Sequence, residues 1–231
     1  MFESQRVGLK RGGYDVKTPN FAGFGGRDPW PIERYTMEAF AGEIAELIRR
    51  QSEGRAIVGG CSMGGYVLLA LLRQWPELVA AAMFLDTRAE ADTPAARASR
   101  EAAITDVQLR GLEPVAGATC SRLLASAATI AVREEVEQMV RRQSIEGFIG
   151  GQKAMMLRRS QMDILPDLQQ QALIIVGRED IVTPPAVAAQ MAAAMPHGEL
   201  VEIDHAGHLA CIEQPDAVND AIFRWLKLLN L

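Results

Sequence analysis

The sequence predicts an α/β protein: a doubly wound, mostly parallel sheet with a helical cap inserted between two core strands. Three observations carry this expectation. Short apolar runs without polar alternation recur as "RAIVGG" (55–60), "LVAAAMFLD" (78–86) and "ALIIVG" (172–177), as strands covered on both faces should. Segments with apolar residues at helical spacing separate them. From Thr87 to Gln171 no strong strand pattern appears, an interval much longer than one crossover helix needs. That interval is rich in Ala, Arg and Met, with helical spacing at Val132, Val136 and Met139. The expected division is therefore a core of residues 1–86 and 166–231 and a cap of residues 87–165.

Taken in order, residues 2–11 suit a short helix closed by Gly12 and Gly13. "YDVKTP" (14–19) alternates like a strand and stops at Pro19, and "NFAGFGGRDPWP" is a loop dense in Gly and Pro. Thr36 suits the N-cap of a helix whose face is Met37, Phe40, Ile44, Leu47 and Ile48. "GYVLLALLRQW" is a helix ended by Pro76. Thr183 and Pro184 suit the cap and first turn of an Ala-rich helix ending near Met195. "ELVEID" (199–204) is the last strand, and Val218, Ile222, Trp225 and Leu229 stripe the closing helix.

A chain of 231 residues, 48% hydrophobic and 23% charged, has the composition of a soluble enzyme. A net charge of −5 with scattered arginines argues against nucleic acid or an anionic membrane surface as partner. Three widely spaced cysteines, Cys61, Cys120 and Cys211, offer neither a disulfide framework nor a metal site, which fits a reducing, cytoplasmic setting. No cofactor or metal is implied.

Between a strand and a helix lies "GCSMG" (60–64), a match to G-x-S-x-G. A serine on such a turn needs neighbours nearly free of side chain, which Gly60, Gly64 and Gly65 provide. The turn lifts the Ser62 hydroxyl above the sheet edge and points the Met63 N–H, at a helix N-terminus, toward a developing oxyanion. A general base is needed next. His208 follows the last strand in "DHAGHLACIEQP" and is the first candidate; His205 in the same loop and His197 in "MPHGE" are the alternatives. For the carboxylate that orients the base, Asp180 in "IIVGREDIVTPP" leads, with neighbouring Glu179 and Asp86 of "MFLDT" as competitors. Phe24 and Trp30 are candidate pocket residues, with loop packing as their other role. Cys61 reads as a small packed residue, and Met155, Met156 and Met162 as core before pocket.

In this order and spacing, "IVGGCSMGGYVLLAL", "LIIVGREDIVTPP" and "IDHAGHLACIEQPDAVNDAIFRWL" resemble the nucleophile, acid and histidine segments of the α/β-hydrolase superfamily. The inserted segment is similar to bacterial members near 3-oxoadipate enol-lactonases and small carboxylesterases. The resemblance spans the chain and implies a serine hydrolase of carboxylic esters or lactones, with a small-molecule substrate. The alternatives are a catalytically silent binding protein of the same fold, an acyltransferase or a C–C hydrolase, which fold alone does not separate.

One departure shapes the expectation. The resemblance places a strand pair, a third strand and a His-Gly loop ahead of "MFESQ", and that loop supplies the second oxyanion donor. No His-Gly precedes Ser62. The fold is therefore expected in an N-terminally truncated form, with a start upstream of Met1 as the simplest account. Tyr14–Thr18 and Arg55–Gly59 should then pair directly or flank a gap. A single oxyanion donor would lower the rate about 100- to 1000-fold.

Overall fold

The computed structural model describes residues 1–51 and 54–229. The chain opens with helices α1 (Glu3–Arg11) and α2 (Met37–Gln51), then strand β1 (Ala56–Cys61), α3 (Met63–Gln74) and strand β2 (Val79–Leu85). Four helices follow before the next strand: α4 (Pro94–Arg110), α5 (Glu113–Leu123), α6 (Ile130–Arg141) and α7 (Ile145–Leu157). The chain closes with β3 (Gln171–Gly177), α8 (Pro185–Ala194), β4 (Gly198–Ile203), α9 (Ala210–Glu213) and α10 (Pro215–Leu226).

The strands form one sheet in the order β1-β2-β3-β4, every pair parallel. Both faces are covered, which is why β2 and β3 carry no polar alternation. On one face Phe84, Ile174 and Val176 meet Phe40, Leu68, Leu71 and Met191, from α2, α3 and α8. On the other, Leu85, Leu173, Ile175 and Ile203 meet Val218, Ile222 and Trp225 of α10. The Thr36 hydroxyl accepts the Ala39 N–H at 3.0 Å and so caps α2 as expected. Among the described residues no helix is long and apolar enough to cross a membrane.

Two local expectations fail. No strand forms at "YDVKTP": Tyr14 is 40% exposed, and of residues 14–19 Val16 alone is partly buried. Alternation without a buried face leaves nothing to fix a register. Of the two arrangements expected for Tyr14–Thr18 and Arg55–Gly59, direct pairing is not made; β1 pairs with β2, and among the described residues its other edge has no partner strand. The second correction concerns Thr183. α8 starts at Pro185, after Pro184, and Thr183 turns its hydroxyl elsewhere.

The register sets the functional edge. Cys61 pairs with Leu85, Leu85 with Ile175, and Gly177 with Ile203, so the C-terminal ends of all four strands lie side by side. Ser62, Asp86, Asp180 and His208 all follow those ends within a few residues.

Helix α7 meets residues 21–35 through a face of small residues. Ser144 caps it, its hydroxyl accepting the Gly147 N–H at 2.9 Å, while the Ser144 N–H donates to the Gly23 carbonyl at 3.0 Å. A methyl group on Gly147 would lie 2.3 Å from the Gly23 oxygen, and one on Gly150 would lie 2.4 Å from the Tyr35 ring. This face admits no Cβ at either position.

Candidate active site

Ser62 joins β1 to α3 with φ 51° and ψ −113°. Positive φ is unfavourable for a residue with a Cβ, so the turn holds strain that its surroundings must sustain. They do so by close approach. A methyl group on Gly60 would stand 2.2 Å from the Gly64 oxygen, and one on Gly65 would stand 2.4 Å from Thr87 Oγ1. Thr87 in turn donates its hydroxyl to the Ser62 carbonyl at 2.8 Å, and the Ser62 N–H reaches the Leu85 carbonyl at 2.9 Å. Met63 is the first residue of α3, so its N–H has no intrahelical acceptor, and it finds no other among the described residues.

His208 Nε2 lies 2.8 Å from Ser62 Oγ, and His208 Nδ1 lies 2.8 Å from Asp180 Oδ2. His208 and Asp180 are 2% and 3% exposed. An ionised carboxylate only accepts, so the ring proton sits on Nδ1 and leaves Nε2 free to accept from the serine hydroxyl. Asp180 is held in place by its own turn. Its Oδ1 accepts the N–H groups of Val182 (2.7 Å) and Thr183 (2.9 Å), and its Oδ2 accepts the Thr183 hydroxyl at 2.6 Å. Burial raises the Asp180 pKa, but the bond from His208, the His208 charge and the Thr183 bonds outweigh it, and the net shift is downward. Asp180 is therefore a carboxylate at neutral pH.

The other sequence candidates stand apart from this chain of contacts. Glu179, His205 and His197 are exposed. Asp86 is fully buried, but its oxygens are occupied by backbone: Oδ1 accepts the Gly177 N–H at 2.9 Å and Oδ2 the Ala210 N–H at 3.0 Å. Cys61 is buried beside Cys211; that contact, then burial, pushes its thiol well above the usual range, so it stays protonated and unreactive. Phe24 packs against the core and lies beside α7: a methyl group on Gly151 would lie 3.0 Å from Phe24 Cζ and 3.6 Å from Met63 Sδ. Trp30 packs into an aromatic cluster, its ring centroid 5.1 Å from Phe40 and 5.6 Å from Tyr35, with the Arg34 guanidinium 4.2 Å above it.

Thr183 is the residue that sequence reasoning placed wrongly. Besides Asp180, its hydroxyl lies 3.2 Å from His208 Nδ1, and the side chain is fully buried. The available signal was its position three residues after an aspartate, a spacing at which side chain and backbone bond locally.

The chain matches the alpha/beta hydrolase family over residues 4–221. It belongs to that family. An esterase from Thermogutta terrifontis, solved with malate bound, superposes with a TM-score of 0.93 at 33% identity, covering 98% of this chain and 84% of that one. A 3-oxoadipate enol-lactonase of Acinetobacter baylyi is 25% identical over 211 residues, 89% of this chain and 76% of the lactonase. A Mycobacterium tuberculosis protein with the provisional name non-heme bromoperoxidase is 28% identical over 210 residues, 84% of this chain and 76% of its own length. This alpha/beta hydrolase thus keeps the parallel sheet and inserted helices expected from sequence.

Asp86 makes a testable contribution to the hydrolase's stability. Burial raises its carboxyl from 3.8 to about 7, although His208 and the two amide bonds pull the other way and the Asp180 charge adds to the rise. A folded pKa above the unfolded one favours the protonated native state. The associated stability is complete below about pH 4 and is lost as pH rises through 7. At about 1.4 kcal/mol per pH unit, that window is worth about 4 kcal/mol. Urea unfolding from pH 4 to 8 should show the native protein losing about that much relative to Asp86→Asn. Parallel pH curves for the two proteins would contradict it.

Proposed function

We propose that this alpha/beta hydrolase is a serine hydrolase of carboxylic esters or lactones. The observation that supports it most is the continuous line from Ser62 Oγ through His208 to Asp180, with both links at 2.8 Å. Ser62 Oγ attacks the carbonyl carbon as its proton passes to His208 Nε2. Asp180 stabilises the imidazolium through Nδ1, and the Met63 N–H faces the oxyanion. Collapse of the tetrahedral adduct breaks the ester C–O bond, and His208 returns the proton to the departing oxygen. In a lactone that oxygen remains on the acyl chain. Water, deprotonated by His208, then releases the acid and restores Ser62.

Helices α4–α7, within residues 87–165, are read as the cap over the acyl pocket, and Phe24 as a pocket wall. The support is α7, where a Cβ added at Gly151 would meet Phe24 Cζ at 3.0 Å and Met63 Sδ at 3.6 Å. The relatives add substrate classes: an esterase and an enol-lactonase both act on acyl–oxygen bonds.

A fluorophosphonate probe tests the reading. The expected result is one adduct per chain, found by mass spectrometry on the peptide containing Ser62 and absent in Ser62→Ala. No adduct on the native protein, as for a silent binding protein, or an adduct that survives the substitution, would remove Ser62 from the mechanism.

A further inference from the structure

The backbone around His208 is held at four successive amides, each bonded far along the chain or to a carboxylate. Gly207 N–H donates to Glu213 Oε1 at 2.9 Å, and His208 N–H to the Leu123 carbonyl at 2.7 Å. Leu209 N–H donates to the same Glu213 Oε1 at 3.3 Å, and Ala210 N–H to Asp86 Oδ2 at 3.0 Å. The second oxygen of Glu213 reaches away from the loop and accepts the Ala125 N–H, just past α5, at 2.7 Å. One half-buried carboxylate therefore binds the residue before His208, the residue after it and the chain leaving α5.

We propose that Glu213 is a positioning residue: it fixes the loop of His208 from both sides and locks that loop to the end of helix α5. The inference rests on His208 being the base of the proposed reaction. Glu213 touches neither Ser62 nor a reacting atom; it acts through the backbone. The His208 ring must hold its 2.8 Å approach to Ser62 Oγ, and a displacement of about 1 Å in such a group can cost about 100-fold in rate. The lock also couples the inserted helices to the base. A movement of α5 pulls on residues 123–125 and so on the amides beside His208.

Two substitutions break the lock in different ways. Glu213→Gln keeps the shape but turns an NH2 group toward one of the donor amides, opposing donor to donor. Gly207→Ala leaves the carboxylate intact and adds a methyl 2.6 Å from Ala125 N, 2.8 Å from Leu124 C and 2.9 Å from Leu123 O. All three are backbone atoms, so the loop must part from the α5 end. The readout is Ser62 labelling by the fluorophosphonate, resolved into its rate constant and its final extent, in the unsubstituted 231-residue chain and in each variant. His208→Ala is measured alongside.

The expected result is a labelling rate lowered about 10- to 100-fold in both variants, with near-complete final labelling. A purely structural role would instead lower the final extent, as protein is lost to unfolding, and leave the rate of the folded fraction unchanged. That outcome overturns the proposal. If Glu213→Gln does not fold, Gly207→Ala decides alone. Native-rate labelling in His208→Ala would overturn the reading of His208 itself. Slow labelling there, with native rates in the other two variants, would overturn the role of Glu213 only.

Discussion

Replacing His208 with alanine is expected to lower kcat roughly a millionfold, the scale seen when a serine nucleophile loses its base. The physical reason is the state of the serine. A hydroxyl is almost wholly protonated at neutral pH, and the acceptor 2.8 Å from Ser62 Oγ is His208 Nε2. Exposed His205 and His197 offer no replacement. Because the imidazole acts on the hydroxyl and not on the bound ester, KM should change much less than kcat. Steady-state hydrolysis of a p-nitrophenyl ester, with Ser62→Ala as the parallel blank, measures both. A His208→Ala enzyme within about 100-fold of native kcat would show that the proton goes elsewhere.

Asp180→Asn should cost about ten-thousandfold in kcat with the fold intact. The substitution alters one atom, yet it reverses a hydrogen bond. Asp180 Oδ2 accepts from His208 Nδ1 at 2.8 Å and from the Thr183 hydroxyl at 2.6 Å. The asparagine has a single acceptor oxygen, already drawn to the Val182 and Thr183 amides on the Oδ1 side. Its NH2 then faces Nδ1, the ring proton moves to Nε2, and Ser62 meets a donor in place of an acceptor. Thermal unfolding and kcat for the same sample separate this from a folding defect. Loss of activity below about tenfold would argue that the imidazole tautomer does not depend on Asp180.

The parts that sequence made legible are those determined by burial and local geometry. β2 and β3 are apolar because the sheet is covered on both faces, and Gly60 and Gly65 are absent of side chain because a methyl would strike Gly64 and Thr87. The strand register then brings Ser62, Asp180 and His208 to one edge. The parts that stayed hidden depend on where distant loops cross. Thr183 carries the local signature of a helix cap, but the aspartate three residues before it claims the hydroxyl. Asp86 and Glu213 bind backbone amides contributed by other loops, and an amide has no sequence identity to read. "YDVKTP" erred in the opposite sense: the alternation is present, while the buried neighbour that gives alternation meaning is not.

The glycine face of α7 constrains how this protein could be re-engineered. Gly147 sits against Gly23, Gly150 against Tyr35 and Gly151 against Phe24, with no room for a Cβ at the first two. Grafted helices with any larger residue at Gly147 or Gly150 would be held off residues 21–35. Residues 21–35 and α7 therefore form one exchangeable module, separated in the chain but inherited together in any working chimera.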